Sequence, residues 1–196
     1  MKLLMKIIFI LLALAVIAGL VSAGCAAVRA GYETAPYQVI RSDGKFELRD
    51  YPALVVAETP MRGADNSFMR LFHYIGGENA AKQKISMTTP VFMSETDSTN
   101  ATMAFVMPAK SAADKLPQPT ESGVILKEIS GGEFAVLRFS GGRSVKNSTN
   151  AIAQLKFWLA QEKILPVGEP VFAYFDPPWT PSFLRRNEIM FRVAQP

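Results

Sequence analysis

The sequence predicts an α+β domain: a twisted, barrel-like antiparallel sheet carrying two helices. Three observations point there. Short apolar runs of strand length are separated by turn residues throughout. Helical periodicity surfaces twice, near residues 65–77 and 149–162. Third, a pattern repeats at an offset of 80 residues, where Val55-Val56 answers to Ala135-Val136, Phe72 and Ile75 to Ile152 and Leu155, and Pro90-Val91-Phe92 to Pro170-Val171-Phe172. Two copies of a strand-helix-hairpin unit give one sheet with both helices on one side and a pseudo-twofold axis.

The bulk composition bounds the function. The chain has 196 residues, 49% of them hydrophobic and 19% charged, enough for a single cored domain. The formal net charge is +4, and two of the positive charges, Lys2 and Lys6, lie in an N-terminal leader. The remaining basic residues are scattered, which argues against nucleic acid as a partner.

Residues 1–25 read as a signal peptide: a basic start, an apolar run from Ile7 to Leu20, then small residues. The ending Val21-Ser22-Ala23-Gly24-Cys25 resembles a bacterial lipoprotein signal, in which the cysteine is lipidated. That implies an exported, lipid-anchored protein of the cell envelope or periplasm. The alternative is ordinary cleavage after Ala23. Cys25 is the sole cysteine, so the domain has no internal disulfide. Residues 26–35 read as a tether and 36–196 as a single domain.

Along the domain, Tyr37–Arg41 reads as a strand and Ser42–Lys45 as a turn around Gly44. Phe46 to Ala57 reads as one longer strand with an irregularity at Pro52. Asp65 opens a helix with Phe68, Leu71, Phe72 and Ile75 as its core stripe, and Gly76-Gly77 stops it. Pro90–Met93 and Thr102–Met107 form a hairpin, and Ala109–Ser122 is a linker. Val124–Ile129 and Glu133–Phe139 read as a hairpin about Gly131-Gly132. Thr149–Glu162 is the second helix, and Pro170–Phe175 with Glu188–Val193 is the closing hairpin.

Catalytic signatures are absent: no G-x-S-x-G, P-loop, H-E-x-x-H or C-x-x-C occurs, so no enzyme is expected. The single histidine, His73, falls with Asp65 and Met69 on one flank of the first helix, with Phe72 between that flank and the core. Such a flank can wall a pocket for a flat apolar ligand, and His and Met both ligate haem iron. Spacing alone favours the plainer alternative, a half-exposed histidine with Met and Phe filling the helix–sheet seam. A stiff Pro177-Pro178-Trp179-Thr180-Pro181 loop can hold Trp179, with Phe183, over a groove mouth. Arg185 and Arg186 either meet an anionic ligand or pair with Glu188 and Asp176.

Several blocks together resemble the SOUL haem-binding protein family: Phe46-Glu47-Leu48-Arg49-Asp50-Tyr51; Leu71 with Tyr74-Ile75-Gly76-Gly77 and Asn79; Lys84-Ile85, Met87-Thr88 and Pro90-Val91; and Asp176-Pro177-Pro178 followed by Arg185-Arg186-Asn187-Glu188. The resemblance implies non-covalent binding of haem, or a related tetrapyrrole, in a hydrophobic cleft beside the first helix, involving Asp65, Phe68, Phe72 and His73. One branch of the family uses an axial histidine at the position of Asp50; that ligand is missing here. Another branch places a basic residue where this chain has His73; the substitution implies either that His73 is the iron ligand or that the native cargo is not haem. Alternative functions are an enzyme acting on tetrapyrroles, by metal removal or ring opening, and a binding module for other lipophilic small molecules.

Overall fold

The structure, a computed structural model, describes residues 6–13, 16, 31–61, 66–94, 101–111 and 115–194. Cys25, Asp65 and most of the leader lie outside these residues. Residues 6–13 are helical and exposed. No helix among the described residues is long and apolar enough to cross a membrane.

The elements of the domain are β1 (Glu33–Thr34), β2 (Gln38–Asp43), β3 (Phe46–Tyr51), β4 (Leu54–Pro60), α1 (Ser67–Gly76), β5 (Thr88–Thr89), β6 (Val91–Ser94), β7 (Thr102–Val106), β8 (Ile125–Ile129), β9 (Gly132–Phe139), α2 (Val145–Gln161), β10 (Pro166–Tyr174) and β11 (Asn187–Val193). A nine-stranded antiparallel sheet runs in the order β2-β3-β9-β11-β10-β6-β7-β4-β8. The order of two strands, a helix and a hairpin occurs twice, as β3-β4-α1-β6-β7 and β8-β9-α2-β10-β11. Between β3 and β8, the strand order is symmetric about the β6/β10 pair.

Two links explain the curl of this sheet. Pro52-Ala53 joins β3 to β4, and Ser130-Gly131 joins β8 to β9, yet each link connects strands near opposite ends of the strand order. A two-residue span reaches only about 7 Å, so the two ends of the sheet must approach one another. The links also touch: a Cβ added to Gly131 would lie 2.5 Å from the Tyr51 carbonyl oxygen and 2.8 Å from the Ala53 nitrogen. Arg192 fastens the crossing, donating from Nη1 to Gly131 O at 2.8 Å and from Nη2 to Ser130 O.

Two sequence expectations are corrected here. Phe46–Ala57 is not one strand with a kink but two strands far apart in the sheet. Residues 124–139 are not a hairpin: β8 pairs with β4, and β9 with β3 and β11. Alternating apolar residues mark a strand without naming its partner, and Pro52 and Gly131 read equally well as a bulge or a tight turn.

Buried residues divide into two clusters, one on each face. The outer cluster joins the sheet to both helices through Leu71, Tyr74 and Ile75 of α1 and Ala151, Leu155, Trp158 and Leu159 of α2, over Phe105, Leu137, Phe172 and Ile189. Each fully buried Leu or Phe there contributes about 1.5–3 kcal/mol. The inner cluster contains Tyr51, Leu54, Val56, Phe92, Val136, Phe175 and Met190 and no residue of α1 or α2. Phe172 and Tyr174 thus face the helices and Phe175 the interior, as strand alternation requires.

α2 begins earlier than its apolar period suggests. Ser144, in extended backbone, accepts the Asn147 amide at 3.3 Å as N-cap. The helix is pinned to the β2–β3 hairpin by Trp158, whose Nε1 donates to Asp43 Oδ2 at 3.0 Å and whose ring stacks on Phe46. The chain ahead of β2 is tied down at residues 33–35: β1 runs parallel to β5, and the Ala35 amide donates to Thr89 O at 2.8 Å.

Candidate functional site

α1 is short, and its end builds the site. Gly77 adopts φ +113°, a conformation that costs a Cβ-bearing residue strain. The reversal lets the Gly77 amide reach Tyr74 O and the Glu78 amide reach His73 O at 3.0 Å. It also returns the Glu78 side chain to the helix, with Oε2 3.7 Å from His73 Nδ1. Buried Asn79 holds the following turn, donating from Nδ2 to Tyr74 O (2.9 Å) and Gln83 O (2.7 Å) while its Oδ1 accepts the Gln83 amide.

The buried stripe of α1 is Ser67, Leu71, Tyr74 and Ile75. The expected stripe placed Phe68 and Phe72 in the core, so the helix is turned by roughly 60° from that expectation. Two bonds account for the turn. Tyr74, 1% exposed, donates its hydroxyl to Pro117 O at 2.9 Å, so a phenol can sit inside. Arg70 anchors the helix to β4 through Thr59 Oγ1 (3.0 Å) and Pro60 O (2.7 Å). Arg70 therefore serves the fold.

The rotation leaves Phe68 40% exposed, Met69 41% and Phe72 46%, beside His73. Phe68 stacks on Phe72 at 6.0 Å and meets Phe105 edge-on at 5.2 Å. The flank thus brings together Phe68, Met69, Phe72 and His73, and Asp65 lies outside the described residues. Three large apolar side chains standing half in water within little more than one helical turn is the sort of patch that marks a contact surface. His73 Nε2 makes no hydrogen bond among the described residues.

Trp179 and Phe183 sit on the loop between β10 and β11, 78% and 73% exposed. The loop is stiff. Arg185 donates to the carbonyls of Thr180 (2.8 Å) and Pro178, and the Arg186 amide donates to Asp176 Oδ2 at 2.6 Å. Among the described residues no ring contact joins either aromatic to α1. Arg186 pairs with Glu188 rather than facing outward (2.6 Å).

Two features escaped the sequence reading. The first is a buried ionic cluster on the inner face. Arg49, 2% exposed, meets fully buried Glu188 at 2.7 and 3.1 Å, donates to Tyr51 Oη at 3.0 Å, and lies 4.2 Å over the Tyr37 ring. Burial alone would raise the Glu188 carboxyl; the Arg49 and Arg186 guanidiniums overcome it and hold Glu188 below the usual carboxylate range. Burial pushes the Tyr51 phenol up to about 12, against the opposing pull of Arg49.

The second is a cavity of about 270 Å³ inside the curl, lined among others by Leu54, Phe92, Phe134, Val171 and Met190. Its signal in the sequence was the apolar runs 91–93, 171–174 and 189–191 within β6, β10 and β11, which mark strand segments buried on both faces. Pockets that enclose a drug-sized ligand span about 300–1,000 Å³, so a tetrapyrrole macrocycle exceeds this one. The α1 flank differs: its surface is open, its apolar groups include two stacked phenyl rings, and its imidazole has a carboxylate neighbour at 3.7 Å.

An open, curled α+β sheet with helices outside and a cavity inside is the class these features define. The chain belongs to the SOUL family: residues 32–192 match the family model described as SOUL heme-binding protein. It is 25% identical over 158 residues to Heme-binding protein 1 of Xenopus tropicalis, covering 74% of this chain and 82% of that protein, with the same figures for Heme-binding protein 1 of Xenopus laevis. The EcmrR C-terminal domain superposes with a TM-score of 0.56 at 20% identity, covering 82% of this chain and 99% of that one. A hydrolase from Listeria innocua gives 0.59 at 13% identity, covering 79% and 94%. At these identities the structural likenesses show a shared fold and nothing of activity.

Proposed function

We propose that the protein binds haem or a related tetrapyrrole non-covalently, in the cell envelope, and performs no chemistry on it. The observation that supports this site is the half-exposed Phe68–Met69–Phe72 surface around His73 on α1. The macrocycle would lie on the two stacked phenyl rings, burying area that water now covers. His73 would ligate the iron through Nε2, with Glu78 orienting the ring from Nδ1. Trp179 and Phe183 complete the proposed contact set, and exposed Lys82 and Lys84 supply cations for the propionates. Bound haem would supply an iron centre whose electronic spectrum reports its axial ligand.

Haemin titration tests the reading. The wild type should develop a shifted Soret band, Phe68→Ala/Phe72→Ala should weaken binding, and His73→Ala should change the spectrum. No Soret shift in the wild type sinks haem binding; unchanged spectra and affinity in His73→Ala remove that residue from the site. The envelope location rests on the 1–25 leader and lipid attachment at Cys25. Metabolic labelling with a fatty acid should mark the wild type, and Cys25→Ala should lose the label.

A further inference from the structure

The cavity inside the curl lies on the opposite face of the sheet from α1, and the proposed haem site makes no use of it. We infer that it is a binding site for a small aromatic or aliphatic carboxylate. Its walls come from both ends of the strand order: Tyr51 and Phe134 from β3 and β9, Leu54 and Ile129 from β4 and β8, with Phe92 and Met190 beneath. Those six side chains are buried or half-buried. They form an apolar slot whose size admits a two-ring aromatic or a medium-length chain, a little below the usual range for drug-sized ligands.

The head group is fixed by the lining's charges. Among the lining residues only Glu58 and Lys127 are charged, and they pair with each other. The pair is asymmetric. The Glu58 side chain is 14% exposed and that of Lys127 43%. Both Glu58 oxygens lie 2.7 Å from Lys127 Nζ, and Thr102 Oγ1 approaches Oε2 at 3.4 Å. The carboxylate is therefore already engaged by Lys127 and Thr102. An ammonium carries three N–H donors, and one carboxylate engages at most two of them. The remaining donor belongs to the more exposed partner. An anionic head group can take that donor without breaking the existing pair, and its apolar body can enter the slot. A cationic ligand would instead have to displace Lys127 from Glu58.

Calorimetric titration of the whole chain with 2-naphthoate tests this. Binding with a dissociation constant below about 1 mM is expected. Ala104→Phe, which fills the cavity floor, should weaken it by about tenfold or more, and Lys127→Met should do the same. If Ala104→Phe melts early, Ile129→Trp at the half-buried wall takes its place. The neutral 2-naphthamide should bind more weakly than the acid, and Phe72→Ala should leave naphthoate binding unchanged. No binding to the wild type, or equal binding to a folded cavity-filling variant, overturns the site. Equal binding of acid and amide overturns the carboxylate class. Loss of naphthoate binding in Phe72→Ala would move the ligand to α1 and overturn the inference while leaving the haem reading intact.

Discussion

The guanidinium of Arg49 and the carboxylate of Glu188 are joined by two hydrogen bonds, 2.7 and 3.1 Å long, that reach across an intervening strand. Arg49 is on β3 and Glu188 on β11, with β9 between them. Each group keeps a second ion pair when its partner is removed, Arg49 with Glu47 at 2.6 Å and Glu188 with Arg186 at 2.6 Å, so the loss should stay below the ~3–5 kcal/mol of a fully uncompensated buried charge. Glu188→Gln and Arg49→Met should each lower stability measurably in urea unfolding. The double variant should lose clearly less than the sum, since the two groups interact directly.

The same pair sets an acid limit. The folded Glu188 carboxyl titrates below its unfolded value, so its contribution is complete above the unfolded carboxylate pKa of about 4.3 and is lost as pH falls through the folded pKa. Urea midpoints should drop on the acid side of about pH 4 in the wild type. The drop should be smaller in Glu188→Gln, which has no proton to take up there. An equally steep acid limb in the variant would assign acid sensitivity to other groups.

Gly131→Ala should destabilise the fold by about 1–3 kcal/mol or more, the range of overpacking. The new methyl would meet backbone atoms of Tyr51, Pro52 and Ala53, which cannot swing aside as a side chain can. Thermal unfolding measures the loss. A neutral result would mean that the two crossing links can separate.

Phe72→Ala separates binding from folding. The side chain is nearly half in water, so its truncation should cost less than about 1 kcal/mol of stability. Haemin affinity should fall about tenfold if the ring carries part of the macrocycle. Equal haemin affinity at unchanged stability would place the ligand elsewhere.

Tyr74→Phe should cost about 0.5–1.5 kcal/mol, because the phenol loses its bond to Pro117 O and leaves that carbonyl without it. Burial holds this phenol up at about 12, as it does Tyr51, so ultraviolet titration should find two tyrosines ionising late in the wild type and one of them missing in the variant.

Sequence showed the stop of α1 clearly, because Gly76-Gly77 supplies the one conformation a sharp helix end requires. It also showed the β6–β7 and β10–β11 pairs, whose apolar runs flank obvious turns. The rotation of α1 was not visible. Counting phenylalanines as core placed Phe68 and Phe72 inward, whereas the deciding contact, Tyr74 to Pro117, joins residues 43 apart. That error concealed the size of the exposed flank, because Phe68 and Phe72, counted in the core stripe, stand at the surface beside Met69 and His73. The partners of β3, β4, β8 and β9 were hidden for a related reason, as strand alternation carries no address. Arg49 and Glu188 both stood in recognisable blocks, but nothing in either block says that they touch.

The two short links give the domain an unusual dependence between its halves. β3 precedes β4 in the chain but pairs with β9 of the second half, and β8 precedes β9 but pairs with β4 of the first. Each half thus lends its leading strand to the other. A chain severed in the segment around residues 109–122 would yield two fragments, neither of which holds a complete sheet. Mixed together, they have the pairing information to rebuild one by complementation.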